Sequence, residues 1–147
     1  MGRFYTIDTA NERLPEVRAI LERLREQRAE LIALRDELAA RRRGRGGAEE
    51  GGSAEGARSA RPAKAASDAE ALRLRMRGII DQMEAAVQQL VDWDISLRDI
   101  ESGLVDFPAL ANGRQIWLCW RLGEDEIGWW HELEAGFAGR RPLIDLA

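Results

Sequence analysis

Cys119 and His131 are the only cysteine and the only histidine of the chain, and four of its five tryptophans lie between positions 117 and 131 with them. A thiol and an imidazole are the groups of a nucleophilic pair and, together with carboxylates, of a metal site. Large aromatic side chains form either a small core or a binding face. We therefore expect any specific chemistry or recognition to lie in this segment.

Alternation along the strands decides which of these side chains meet. A loop that pairs Leu122 with Ile127 sets Trp120 opposite Trp129 and Leu118 opposite His131. A slip by one residue would place Ile127 opposite Arg121, which is less favourable. This register predicts one face with Leu118, Trp120, Leu122, Ile127, Trp129 and His131, and another with Trp117, Cys119, Arg121 and Trp130.

The candidate catalytic residues are His131, Cys119 and Asp106, and the predicted register separates the first two. A Cys-His nucleophile needs both groups on one side of the sheet, whereas here Cys119 and His131 project to opposite sides. We expect an inert, buried cysteine and a histidine hydrogen-bonded into the aromatic layer. If the chain leaves the sheet at Gly128, His131 points elsewhere, because Ile127, Trp130 and Leu133 also fit the start of a helix.

The chain contains residues that can bind a metal ion, but they do not have the paired spacing of a metal motif such as Cys-x-x-Cys or His-x-x-x-His. A zinc site needs three or four converging ligands. We expect neither a metal nor a cofactor, and no glycine-rich phosphate loop follows a strand. The donors considered are Asp106, Cys119, His131, Glu132 and Glu134.

Arg121, in the middle of a predicted strand, points to a polar surface. Its guanidinium can form an internal ion pair with Asp106, Glu124 or Glu126, or can bind an anionic small molecule. The predicted surface for a ligand or partner consists of Trp117, Arg121, Trp130, Arg140 and Asp106.

Two long helices should support this segment. Apolar residues recur every three or four positions in residues 14–43, so residues 1–43 are interpreted as the first helix, capped by Thr6 or Asp8 and kinked near Pro15. Residues 44–66 contain Gly, Ala and charged residues without large apolar side chains, which predicts a flexible linker. A capping box, Ser67-Asp-Ala-Glu70, predicts a second helix over 67–92 that returns antiparallel.

A tryptophan-rich β-meander and C-terminal tail are predicted over residues 93–147. Trp93, Ile95 and Leu97 alternate with polar residues, and Asn112-Gly113 is a hairpin signal. The predicted fold class is α+β: a long antiparallel helical hairpin followed by a small antiparallel meander of three to four strands.

Composition excludes several classes of partner. The formal net charge is -4, so strong whole-chain attraction to nucleic acid is not expected, and the basic residues 41–45 are interpreted as a solvated helix end. No segment has the apolar length to span a bilayer. A single cysteine and the lack of a secretory apolar stretch predict a cytoplasmic protein.

The chain resembles the prokaryotic domain-of-unknown-function family 2203 over nearly its whole length. The resemblance implies a small bacterial protein of helical-hairpin and strand type, and it supplies no activity. It covers the candidate residues Asp106, Cys119, Trp120, Arg121, Trp130, His131 and Arg140. The motifs that carry it are Gly103-Leu-Val-Asp-Phe-Pro-Ala109, Leu118-Cys-Trp-Arg121, Glu126-Ile127, Trp130-His131 and Gly136-Phe-Ala-Gly-Arg140.

Two functional hypotheses follow from these observations. The first is a non-enzymatic interaction or regulatory module, in which the helical hairpin pairs with a second copy or another protein and the sheet holds a partner or small ligand. The second is a small enzyme that uses Asp106, Arg121, His131 and Cys119.

Overall fold

The computed structural model describes residues 2–48 and 60–146, with side chains described except at 45–48 and 60–62. Two helices precede one antiparallel sheet, which confirms the α+β class, with five strands in place of three or four. Among the described residues, no helix is both long and apolar enough to cross a membrane. The helices are α1 (Ile7–Ala48) and α2 (Ala60–Asp92), and the strands are β1 (Ser96–Asp99), β2 (Leu104–Ala111), β3 (Arg114–Arg121), β4 (Trp129–His131) and β5 (Arg141–Pro142).

Helix α1 begins with a reciprocal cap. The Thr6 hydroxyl accepts from the Thr9 N–H at 3.1 Å, and the Thr9 hydroxyl accepts from the Thr6 N–H at 2.8 Å, so Thr6 is the capping residue. Pro15 lies inside the helix, which continues through it without a new start. Its ring is on the exposed side of α1, where one missing backbone hydrogen bond is tolerated.

Helix α2 begins earlier than the sequence predicts. The predicted start at Ser67 is wrong, because α2 extends upstream to Ala60 through alanine-rich sequence of high helix propensity. Both ends of the predicted 44–66 linker are therefore helical, at residues 44–48 and 60–66. Its central residues, 49–59, lie outside the described residues.

The five strands are paired in sequence order, as a meander requires. Asn112 and Gly113 form the two-residue turn between β2 and β3 with φ of 52° and 79°, and Ala111 pairs with Arg114 across it. These positive φ values explain why Asn-Gly predicted this hairpin. Trp93 is wrongly predicted as a strand residue, because it lies in the turn that follows α2.

The predicted register between β3 and β4 is wrong by one residue. Trp117 pairs with His131, and Cys119 pairs with Trp129. The expected pair of Leu122 and Ile127 does not form: the Leu122 N–H donates to the Gly103 carbonyl at 3.0 Å, and the Ile127 N–H donates to Oδ1 of Asn11 at 2.7 Å.

This one-residue slip exchanges the faces of every residue in β4. The inner face of the sheet, which packs against α1, contains Val105, Phe107, Ile116, Leu118, Trp120 and Trp130. The outer face contains Asp106, Trp117, Cys119, Arg121, Trp129 and His131.

The chain forms two compact units, and the sheet belongs to the first, which comprises Met1–Glu26 and Glu84–Ala147. Tyr5 of this unit packs edge-on against Phe107 with ring centroids 5.2 Å apart, and its N–H donates to the Pro108 carbonyl at 2.7 Å. The fully buried Phe107 and Trp120 are its largest core side chains. These contacts place the segment before α1 against the inner face of the sheet.

The second unit, Gln27–Met83, consists of the remaining parts of α1 and α2. The Nε2 atom of Gln27 donates to Oε1 of Gln82 at 3.0 Å, and Arg41 pairs with Asp68 at 3.3 Å. Glu30 also accepts from Arg75. Later residues of α1 contact progressively earlier residues of α2, so the two helices run antiparallel. This confirms an antiparallel hairpin in this unit.

Candidate metal centre

Three potential metal ligands meet on the outer face of the sheet, one from each of three neighbouring strands. Asp106 on β2 pairs with Cys119 on β3. His131 on β4 pairs with Trp117, which lies two residues before Cys119 on β3. One donor atom from each residue lies within 4.8 Å of the other two. All three residues are buried, with exposed fractions of 2% for Asp106 and His131 and 0% for Cys119.

The histidine is held in one orientation by its neighbour. Nδ1 of His131 lies 2.7 Å from the backbone oxygen of Glu132. Because a carbonyl oxygen only accepts, Nδ1 is the protonated nitrogen, and in the neutral ring Nε2 carries a lone pair. A ring with Nδ1–H on a carbonyl and Nε2 directed into a cluster is the usual arrangement of a metal-binding histidine.

The Nε2 atom of His131 faces the carboxylate of Asp106. Nε2 and Oδ1 are 3.0 Å apart. Their directions do not fit a hydrogen bond, so neither atom has a hydrogen-bonding partner among the described residues. Buried polar atoms without partners are costly and rare, and a cation between these two atoms would satisfy both.

Arg98 fixes the other carboxylate oxygen of Asp106. Its Nε–H donates to Oδ2 at 2.8 Å, and its guanidinium carbon lies 5.0 Å from the centre of the Trp117 ring. The strand register shifts between Leu97 and Asp99, so Arg98 is the extra residue of a β-bulge. Such bulges redirect a side chain, and here the guanidinium reaches the outer face.

The Cys119 sulfur is a free thiol in an environment that resists ionisation. Burial raises the pKa of this thiol to about 12, and the Asp106 carboxylate adds to the rise, while Arg140 acts in the opposite direction. A thiol with this pKa is a poor nucleophile at neutral pH. A bound metal ion would instead favour the thiolate form of Cys119, because a coordinated thiol loses its proton.

Arg140 approaches Cys119 from the C-terminal segment. Its terminal nitrogens donate to both carboxylate oxygens of Glu124, at 3.0 and 2.8 Å. Its guanidinium lies 4.8 Å from the Trp129 ring centre and 4.7 Å from that of Phe137. Nη2 also donates to the backbone oxygen of Cys119 at 3.3 Å, whereas the buried Nε has no partner among the described residues. The positive charge of Arg140 favours the thiolate form of Cys119 and so lowers the pKa of the thiol.

The distances fit a metal centre better than an acid–base site. Tetrahedral zinc separates one nitrogen, one oxygen and one sulfur ligand by roughly 3.3–3.6 Å, given Zn–N and Zn–O of about 2.0–2.1 Å and Zn–S of about 2.3 Å. Nε2 of His131 and Oδ1 of Asp106, 3.0 Å apart, are slightly closer than this, and the three donor atoms lie within 4.8 Å of one another, so small side-chain shifts would bring the cluster to that spacing. As a general base, His131 would need a ring nitrogen directed at a nucleophile, whereas one nitrogen binds Glu132 and the other faces Asp106.

The family model covers nearly the whole chain, as the resemblance of the sequence motifs predicts. The family model described as "Uncharacterized conserved protein (DUF2203)" matches residues 3–143. The chain belongs to this family. No curated protein and no solved structure matches it.

The DUF2203 structure brings together most of the residues that the sequence nominated. Asp106, Cys119 and His131 converge, which contradicts the predicted separation of Cys119 from His131. The physical reason is the register slip described above. It also makes the surface assignment of Trp130 wrong, since Trp130 is 2% exposed and lies on the inner face.

Arg121 remains on the outer face, and within the described part of the chain it forms no ion pair with Asp106, Glu124 or Glu126. Its guanidinium lies 5.3 Å from the Phe137 ring centre. The carboxylates of Asp106 and Glu124 are instead bound by Arg98 and Arg140.

Sequence reasoning missed Arg98 and Trp129 as neighbours of the cluster. In the sequence, Arg98 is simply a polar residue in an alternating strand. The β-bulge that turns it towards the cluster has no sequence pattern that predicts it. Trp129 was assigned to the opposite face by the same error of register. The three ligands come from three strands, so their spacing along the sequence contains no metal motif.

Proposed function

We propose that this DUF2203 protein binds a zinc-class divalent metal ion through Asp106, Cys119 and His131. The observation that carries the proposal is the unsatisfied pair of buried atoms, Nε2 of His131 and Oδ1 of Asp106, which face each other across 3.0 Å. The Cys119 sulfur is the third donor of the same cluster.

The donor set favours zinc over harder cations. Carboxylate, thiolate and imidazole are all zinc ligands, whereas Ca²⁺ and Mg²⁺ prefer six or more oxygen donors. Three protein ligands leave one tetrahedral position for water or another molecule, which is the pattern of catalytic rather than structural zinc sites. The alternative of a small enzyme with Asp106, His131 and Cys119 therefore takes the form of a metal-dependent one.

The surrounding contacts would hold these ligands in place. Glu132 orients His131 through its carbonyl, Arg98 orients Asp106, and Arg140 favours the thiolate of Cys119. Outer contacts of this kind tune metal affinity. Each ligand thus has one neighbour suited to its metal-bound form.

Equilibrium dialysis of the full chain against Zn²⁺ tests this function. We expect one ion per chain in the wild type and at least about a tenfold loss of affinity in Cys119→Ala or His131→Ala. Glu16→Gln is the control, because Glu16 also pairs with an arginine, Arg13, but lies on α1. Equal zinc affinity of all four proteins would refute the proposal, provided that circular dichroism shows them folded.

We also propose that the second unit self-associates as a coiled-coil-like dimer. On α2, Leu74 and Ile80 are 60% and 40% exposed. A shallow groove lies there, lined by Leu38, Arg73, Met76, Arg77, Ile80 and Asp81. Two helices alone bury a thin core, so pairing into four helices would cover this apolar surface.

Solution mass by light scattering tests the self-association. We expect a dimer for the wild type, a monomer for Ile80→Glu, and a dimer for the control Leu133→Glu, which changes an apolar residue that is 50% exposed in the first unit. A wild type that stays monomeric at high concentration would exclude the dimer. A cytoplasmic location suits both proposals, because a reducing compartment keeps Cys119 available as a metal ligand.

A further inference from the structure

We propose that the metal centre has a ligand-binding position beside Arg98 that takes a small carboxylate. This inference rests on the proposed metal site and adds the chemical class of its ligand. It starts from the direction of the three donors: all of them lie on the outer face of one sheet. The remaining coordination position of the ion is therefore directed away from the sheet, to the side where Arg98 lies.

Arg98 has unused donors at this position. Its Nε binds Asp106, whereas its terminal nitrogens Nη1 and Nη2 have no hydrogen bond or ion pair within the described chain. The side chain is 43% exposed, so a molecule in solution can reach it. The Nε–H bond to Asp106 and the Trp117 ring, 5.0 Å from the guanidinium carbon, both hold the side chain, which leaves a preorganised pair of N–H groups next to the ion.

The balance of charge at the site calls for an anion. Asp106 and the Cys119 thiolate would neutralise a divalent ion, and Glu124 neutralises Arg140. The positive charge of Arg98 then remains in excess. A singly charged ligand compensates it, whereas a doubly charged ligand would overcompensate.

A carboxylate fits both partners. One oxygen can bind the metal ion while the planar group accepts N–H bonds from the guanidinium, a geometry in which arginine and carboxylates match. The half-buried Trp117 and Trp129 border the cluster on β3 and β4 and suit a flat group. The inferred ligand class is therefore a small organic acid bound through its carboxylate.

Nuclear relaxation of ¹³C-labelled acetate tests the inference on the full chain loaded with Co²⁺. Cobalt binding is measured first by dialysis, and acetate is added afterwards. We expect saturable relaxation of the carboxyl carbon by the paramagnetic ion, and none with the metal-free protein. Arg98→Gln should weaken acetate binding by about tenfold or more, because it removes the charge-assisted donors.

Arg13→Gln is the matched control. Arg13 also stacks on a tryptophan, Trp93 at 4.2 Å, and pairs with a carboxylate, Glu16 at 2.9 Å, but it lies on α1. It should leave acetate affinity unchanged within about twofold. Bound Co²⁺ without saturable acetate relaxation, or equal effects of the two substitutions, would overturn this inference and leave the metal site standing.

Two further outcomes are decisive. Failure of Co²⁺ to bind would overturn the metal site and the ligand position together, and it is seen before acetate is added. Inorganic phosphate displacing acetate with higher affinity than acetate itself would overturn the carboxylate assignment, because it would show a preference for a doubly charged ligand.

Discussion

Nε2 of His131 and Oδ1 of Asp106 lie 3.0 Å apart in the interior and form no hydrogen bond. A second contact orients each of the two side chains. Nδ1 of His131 is bound to the Glu132 carbonyl, and Oδ2 of Asp106 accepts a hydrogen bond from Arg98. Both atoms are thus held in place with their lone pairs available, next to a thiol. That relationship is the basis for a metal centre in this fold.

Zinc should stabilise the folded chain. An ion that binds only the folded state at a thousand times its Kd adds about 4 kcal/mol to the free energy of unfolding. Urea unfolding followed by tryptophan fluorescence, with and without Zn²⁺, measures this gain. Cys119→Ala should lose at least about 1.4 kcal/mol of it, the value of a tenfold loss of affinity, while Glu16→Gln keeps it; an equal gain in both variants would contradict the site.

The metal-free protein should lose stability in alkaline solution because of Cys119. Burial raises the pKa of this thiol from 9.0 to about 12, so the folded state retains a proton that the unfolded state releases. The contribution is fully present below pH 9 and is lost as the pH rises towards 12, with a limiting slope of about 1.4 kcal/mol per pH unit.

Urea unfolding of the metal-free wild type and Cys119→Ala at several pH values between 9 and 11 measures this slope. The comparison isolates the thiol, because the two proteins differ at Cys119 alone. Parallel curves for the two proteins would contradict the raised pKa.

Neighbouring tryptophans on β4 should differ in their contribution to stability. Trp130 is 2% exposed on the inner face, so Trp130→Ala should cost about 3–5 kcal/mol of unfolding free energy. Trp129 is half-buried on the outer face against Arg140, so Trp129→Ala should cost clearly less. Denaturant unfolding distinguishes the two registers, since the register predicted from the sequence gives the reverse order.

Arg140 should act on metal affinity without being a ligand. Removing an outer contact of a metal ligand typically lowers affinity by about 10- to 100-fold, so Arg140→Gln should weaken Zn²⁺ binding by that amount. Competition with a chromogenic chelator measures it. Arg141→Gln is the control, because Arg141 is adjacent and stacks on Trp130 at 5.5 Å; equal losses in both variants would count against the role of Arg140.

Local patterns were enough to predict much of the fold. Helical periodicity predicted α1 and α2, and Asn112-Gly113 predicted the hairpin between β2 and β3. The capping-box pattern at Ser67 failed because an alanine-rich sequence before it also forms helix.

The site was beyond prediction from local patterns because tertiary contacts decide it. Just before β4, the Ile127 N–H is bound by Asn11, 116 positions away in the sequence, in place of the local pair with Leu122 that the sequence predicts. The position of Arg98 depends on a bulge. Sequence reasoning found Asp106, Cys119 and His131 as residue types, and only the register brings them together.

The visible and near-ultraviolet spectrum of the Co²⁺-loaded protein tests the metal centre most directly. A cobalt–thiolate bond at Cys119 predicts a sulfur-to-cobalt charge-transfer band at one equivalent of Co²⁺, together with the intense visible bands of tetrahedral coordination, both lost in Cys119→Ala. Saturation with Co²⁺ without a charge-transfer band, or an identical spectrum in Cys119→Ala, would contradict it.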